Sequence, residues 1–330
     1  MNKKSFFSGI LKFGTSVLLI TWLIRTGRLP VDELSTLFSA KVAAWGLLMV
    51  GAALFLASER WRMLLRSQGF HAKSGAAFAM TLIGTFFSFF LPGGVGGDII
   101  KAYYVVQKLE KHKVKAVATV LFDRILGLFT MVIMAFFACF LEPGLLAKNA
   151  TIQALAVTLG LLALGFTIAF FVMWSNSAGG LRQRTLRWTQ SVRVVNRNLS
   201  RLYDFQLTFK QLVGVVLLSL VGQSVSILFF VGISFFLGFE GVPLLIFLFV
   251  VPLGFIAQAI PISPGGVGVG QAAFFFLFNL ALGTETQVGS ITVTAFQAFT
   301  FFYGLIGAGL YAFIRQHHGF HHAPEQSPTS

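Results

Sequence analysis

The chain has 330 residues, 56% of them hydrophobic and 11% charged, with a formal net charge of +14. It is too apolar for a soluble domain, and long apolar runs recur along its length, so the composition specifies an all-α polytopic membrane protein. In a soluble protein the positive charge would point to nucleic acid; here it marks loops facing an anionic leaflet, and no nucleic-acid partner is expected.

A span needs about 20 apolar residues. Lys3 and Lys4 precede the first run, and no small-residue cleavage pattern follows it, so an uncleaved first span is predicted from about Phe6 to Leu23. Span two covers about Val42 to Ala57. The segment from Glu59 to Arg66 behind it reads as a basic amphipathic stretch at an interface.

The next apolar run, Ala76 to Leu91, ends in Pro92-Gly93-Gly94-Val95-Gly96. Proline and three glycines over five residues stop a helix. A short helix from Asp98 to Gln107 follows, too short to span, so this region reads as a hairpin that enters and leaves on one side. Span three is predicted at about Val117 to Leu141, span four at Ile152 to Trp174 and span five at Leu212 to Leu237. A basic loop between spans four and five runs from Arg182 to Lys210.

A second hairpin, about Val242 to Leu282, is broken at Pro264-Gly265-Gly266-Val267-Gly268. Span six runs from about Ser290 to Ile314, before a tail carrying His317, His318, His321 and His322. A solvated tail explains those histidines better than a metal site. The single Cys139 forms no internal disulfide. No cofactor or metal is expected.

With the N-terminus inside, nineteen Lys and Arg fall in inner segments and four in outer loops. This places both termini in the cytoplasm. The expected architecture is therefore six full spans plus two broken or re-entrant hairpins, with eight crossings left open because the first arm of the second hairpin is long enough to span. Residues 1–315 form one integral domain and 316–330 a disordered cytoplasmic tail. The pseudo-repeats, about 1–145 and 146–315, each cross three times, so the second is inverted relative to the first. Matching breaks in inverted halves point to a transport site built from discontinuous helices.

Each second arm starts at a break, where free N–H groups and the positive helix end suit a phosphate. Around the first break, Asp98 is either an N-cap or a group for gating or for binding a cationic headgroup or proton, and Lys101, three residues on, either pairs with it or faces a lipid phosphate. Asp123 and Arg124 lie deep in span three. As helix neighbours they point about 100° apart, so each needs another partner. Either they form interhelical ion pairs or Arg124 holds a lipid phosphate. Gln271, after the second break, either caps its helix, lines a cavity or packs between helices. The candidate substrate-binding or gating set is thus Pro92, Gly93, Gly94, Gly96, Gly97, Asp98, Lys101, Asp123, Arg124, Pro264, Gly265, Gly266, Gly268 and Gln271.

Several marks together resemble the lysylphosphatidylglycerol synthase transmembrane-region family of flippase-like integral membrane proteins. They are Arg60-Trp61-Arg62 with Leu64-Leu65; Leu91 through Asp98 with a basic residue at Lys101; Asp123-Arg124 with Gly127-Leu128; and Pro261 followed by Pro264 through Val269. The resemblance covers nearly the whole chain. Family members often have Arg where Lys101 stands and Glu where Gln271 stands, so a role resting on an acid at Gln271 is not carried over. The resemblance implies movement of a lipid between leaflets of a bacterial inner membrane. In the best-known relatives the domain flips aminoacylated phosphatidylglycerol made by a soluble C-terminal domain. Here the chain ends at Ser330, so aminoacyl transfer is not expected and the chain is not read as an enzyme. Relatives lacking that domain are linked to cardiolipin, polyprenyl carriers and hopanoids.

The expected function is translocation or binding of an anionic lipid, of phospholipid or polyprenyl-phosphate type, with membrane lipids as partners. A lipid-synthesis enzyme and further copies of the chain stay open as additional partners. The alternatives are a non-catalytic membrane partner of a lipid-modifying enzyme, docking through the Arg182–Lys210 loop, and a membrane-embedded headgroup transferase. The latter would have to use Asp98 and Asp123 as its acid and base.

Overall fold

The computed structural model describes residues 17–29, 39–90, 96–107, 113–175, 207–239, 241–260 and 262–317. Most of the first predicted span, Pro92, Gly93 and Gly94 of the first break, nearly all of the basic loop and most of the histidine tail lie outside the described residues. All regular elements among the described residues are helices: α1 (17–25), α2 (Ala40–Ser67), α3 (Ser74–Ser88), α4 (Gly96–Gln107), α5 (Lys113–Leu141), α6 (Pro143–Lys148), α7 (Ala150–Ser175), α8 (Phe209–Phe236), α9 (Leu244–Gln258), α10 (Val269–Leu282) and α11 (Val288–His317).

Length sorts these helices. Five of them, α2, α5, α7, α8 and α11, contain apolar stretches of 21 to 29 residues. At 1.5 Å per residue each is long enough to cross about 30 Å of hydrocarbon. The chain is a multi-pass membrane protein. By contrast α3, α9 and α10 have 14 or 15 residues, about 21 to 23 Å, and α4 has 12.

The short helices fold back in pairs. Gly254 of α9 lies against Phe274 of α10, and farther from the break Phe247 meets Phe278 at 5.2 Å. Contacts that step backward in one arm and forward in the other define an antiparallel hairpin, not a rod continuing through the membrane. In the first pair Gly84 faces Gly97 across the α3–α4 crossing. A Cβ on Gly97 would lie 2.7 Å from the Gly84 carbonyl oxygen, so the arms touch backbone to backbone, as small residues allow in membranes.

Close contacts between the other helices give each a direction. Pairs Trp45–Gly232, Leu56–Gly222 and Met63–Gly214 make α2 and α8 antiparallel. Gly46–Phe299 and Gly51–Tyr303 make α2 and α11 parallel. Gly307 lies on Leu82 and Gly304 on Phe86, so α3 opposes α11. Gly289 lies on Phe274 and Gln271 bonds Gln297, so α10 opposes α11 and α9 runs with it. Trp61–Thr119 and Arg60–Asp123 make α5 oppose α2. Every pair of equivalents, α2 with α8, α3 with α9, α4 with α10 and α5 with α11, therefore runs in opposite directions.

Packing obeys the same exchange: α3 packs on α11 as α9 packs on α5, and α2 packs on α3 as α8 packs on α9. Half-chains related in this way form an inverted repeat, and the two hairpins enter from opposite sides. They meet at their tips. A Cβ on Gly265, in the second break, would sit 3.3 Å from the Cα of Phe89, the residue that closes α3. A phenylalanine-rich core lies beside this junction, with the Phe230 and Phe274 rings stacked at 5.0 Å and Phe229, Phe255 and Phe296 around them.

Candidate functional site

The predicted basic amphipathic segment is not separate from span two: α2 continues without a break through Ser67. Trp61 is consequently buried at 1% exposure, and Arg60 turns into the bundle. Its guanidinium forks onto Asp123 of α5, Nε to Oδ1 at 2.7 Å and Nη2 to Oδ2 at 3.2 Å. The remaining Nη1 donates to Ser219 of α8 at 2.8 Å, and Ser219 in turn bonds the Thr130 hydroxyl at 2.7 Å. Gly127, one helical turn from Asp123, leaves room for the guanidinium: a Cβ there would be 3.4 Å from Nη1. Three long helices are thus tied by one arginine.

Arg124 points the other way and forms an ion pair with Asp98 of α4. The adjacent residues of span three do need separate partners, and they find them on different elements. Asp98 lies in the first turn of α4 with its carboxylate on Arg124; the Gly97 N–H is accepted by Ser88 Oγ of the opposite arm at 3.0 Å. Lys101 does not pair with Asp98. It is 8% exposed, has no carboxylate within 4 Å among the described residues, and holds its ammonium 5.1 Å above the Trp61 ring. That ring is anchored by its indole N–H donating to Thr119 at 3.2 Å.

These groups share one cavity of about 410 Å³. Its wall holds Arg60, Lys101 and Arg124, against Asp98 and Asp123. It also holds Gly97 from the arm after the first break and Gly265 from the second break, with Gln223 and Ser226 of α8 opposite. Counting formal charges, the wall carries three cations and two anions.

Of the predicted set, Gly97, Asp98, Lys101, Asp123, Arg124 and Gly265 line this cavity. Gly96, Pro264, Gly266, Gly268 and Gln271 do not. Gly265, Gly266 and Gly268 take φ of +58°, +72° and +84°, a region that favours glycine, and their role is to turn the chain. Gln271 is structural. Its Oε1 accepts from the Gly268 N–H at 2.7 Å, and its Nε2 donates to Gln297 at 2.7 Å and Thr294 at 3.2 Å. At the two helix starts expected to offer N–H groups to a phosphate, the Gly97 N–H donates to Ser88 and the Gly268 N–H to Gln271. Side chains add three cations to the cavity wall.

Sequence reading missed Arg60 and Gln258 as members of the site. The signal for Arg60 was the lack of any helix-breaking residue between Ala57 and Arg66, which lets span two run on. Gln258 carried no signal, since its neighbours are ordinary apolar helix residues. The nineteen-to-four count of cations included Arg60 and Lys101 as loop residues; both lie in the bundle, and the asymmetry stands without them.

The sequence matches the family model described as Lysylphosphatidylglycerol synthase TM region over residues 9–307. The chain belongs to this family. No curated protein and no solved structure gives a match. Membership in the Lysylphosphatidylglycerol synthase TM region family links this membrane protein to lipid metabolism.

Proposed function

We propose that the chain binds the headgroup of an anionic lipid, of phospholipid or polyprenyl-phosphate type, in the cavity between the hairpin tips and carries it from one leaflet to the other. One observation carries this reading: a single cavity where inverted hairpins meet is lined by Arg60, Lys101 and Arg124 but only by Asp98 and Asp123. Both carboxylates are taken by arginines, which leaves one positive charge in excess. A buried charge is costly unless paired, and a singly charged phosphodiester would balance it.

The same ion pairs speak against a headgroup transferase, since each carboxylate such an enzyme would use as base is engaged by a guanidinium. Family membership and the charge asymmetry of the loops support a bacterial inner membrane protein with both termini in the cytoplasm. On that orientation the α3–α4 hairpin enters from the cytoplasm and the α9–α10 hairpin from outside.

The test is reconstitution of the purified chain into sealed vesicles with labelled phosphatidylglycerol, cardiolipin or polyprenyl phosphate. Leaflet exchange above that of protein-free vesicles for at least one of them is expected. Exchange no faster than without protein for all three would overturn the proposal.

A further inference from the structure

The charged cavity adjoins a second chamber of about 180 Å³. The two share Thr85, Ser88, Gln258, Gly265, Phe296 and Thr300, and Gln297 lines only the smaller one. Among the described residues no charged side chain lines this chamber. Its wall is mostly apolar, with a few polar groups set into it. The Thr85 and Thr300 hydroxyls donate to their own helices, at 2.9 Å to the Thr81 carbonyl and 2.6 Å to the Phe296 carbonyl. Their oxygens keep the capacity to accept. Gln258 donates from Nε2 to the Gly265 carbonyl at 3.2 Å, while its Oε1 is buried with no hydrogen-bond partner. Gln297 uses one amide N–H on the Gly266 carbonyl at 3.4 Å and retains the other.

We infer that the site reads its lipid in two places: the phosphate against Lys101 in the larger cavity, and a small, neutral, hydroxyl-bearing headgroup in the smaller chamber. This rests on the anionic-lipid reading above and narrows it. A hydroxyl both donates and accepts, which matches the two threonine oxygens and the remaining Gln297 amide N–H. An ammonium only donates. It would enter a chamber with no carboxylate, beside a cavity already one cation in excess, and would lie buried and unpaired. Ethanolamine-type and aminoacyl headgroups are disfavoured for that reason. The volume, on the order of six water molecules' share of liquid, suits a triol-sized group.

The experiment measures binding of short-chain phosphatidylglycerol, phosphatidylethanol and phosphatidylethanolamine to the purified full-length chain in detergent. Phosphatidylethanol has the same charge as phosphatidylglycerol but no headgroup hydroxyl. Phosphatidylglycerol is expected to bind about tenfold more tightly than phosphatidylethanol, and phosphatidylethanolamine more weakly than phosphatidylglycerol. Thr85→Val and Thr300→Val should each shrink the phosphatidylglycerol-to-phosphatidylethanol preference by about threefold or more. Should neither variant fold, the comparison of the three lipids on the unaltered chain decides.

Equal affinity for the two anionic lipids would overturn the headgroup inference and leave the anionic-lipid reading intact. Tighter binding of phosphatidylethanolamine than of phosphatidylglycerol would overturn it as well. No binding of either anionic lipid would sink the anionic-lipid reading, and this inference with it.

Discussion

Arg60 and Asp123 stand 63 positions apart and meet through two hydrogen bonds of 2.7 and 3.2 Å across α2 and α5. A forked guanidinium–carboxylate contact fixes both distance and rotation between two helices. The next residue, Arg124, reaches the opposite way to Asp98, so one turn of α5 anchors both α2 and α4.

Removing one partner leaves the other charge buried and unpaired. Arg60→Ala should destabilise the protein by about 3–5 kcal/mol, whereas the double variant Arg60→Met with Asp123→Met should recover most of that loss. Thermal unfolding in detergent of the single and double variants reads the difference. A double variant as unstable as the single one would mean that the pair is not the coupled unit seen here.

Lys101 should behave oppositely. Its ammonium has only the Trp61 face and the distant carboxylates to compensate burial at 8% exposure. Lys101→Met should therefore raise stability by about 1 kcal/mol while weakening anionic-lipid binding by about tenfold or more. Unfolding and lipid titration on the same preparation test both signs at once. Lower stability with unaltered affinity would make Lys101 a structural group.

The hairpin tips offer a cross-link. Replacing Phe89 and Gly265 with cysteine puts two thiols within reach, because a Cβ at position 265 lies 3.3 Å from the Phe89 Cα; the positive φ at 265 strains the new residue by about 1–2 kcal/mol. The native Cys139 is buried on α5 and should not compete. Oxidation should join the tips and stop leaflet exchange, and reduction should restore it, if the hairpins part during transport. Full exchange with the disulfide formed would show that the tips stay together throughout.

Gly97 tests the arm-to-arm contact. Gly97→Ala should cost about 1–3 kcal/mol, since its Cβ would lie 2.7 Å from both the Gly84 carbonyl oxygen and Ser88 Oγ. Gly165→Ala and Gly309→Ala, where a Cβ meets nothing within 4 Å, should be neutral or mildly stabilising by helix propensity. Melting temperatures of the three variants give the ranking.

Much of this architecture was legible in the chain itself. Apolar runs set the long helices, the repeated Pro-Gly-Gly-Val-Gly set the breaks at residues 92–96 and 264–268, and ten residues after the first break were visibly too few to cross. The depth of Asp123 and Arg124 required partners, because hydrocarbon leaves a charge no alternative. These are local quantities: hydropathy, helix-breaking residues and length along one segment.

Tertiary structure decided everything that depends on which faces meet. It folded α9 back on α10 and brought Phe89 to Gly265. It gave Asp98 to Arg124 and not to Lys101, moved Arg60 from an interface into the cavity, and made Gln271 a cap instead of a ligand. Sequence spacing fixes where a side chain points on its own helix. The partner it reaches is set by the rotation and direction of a second helix, and those follow from packing of the whole inverted bundle.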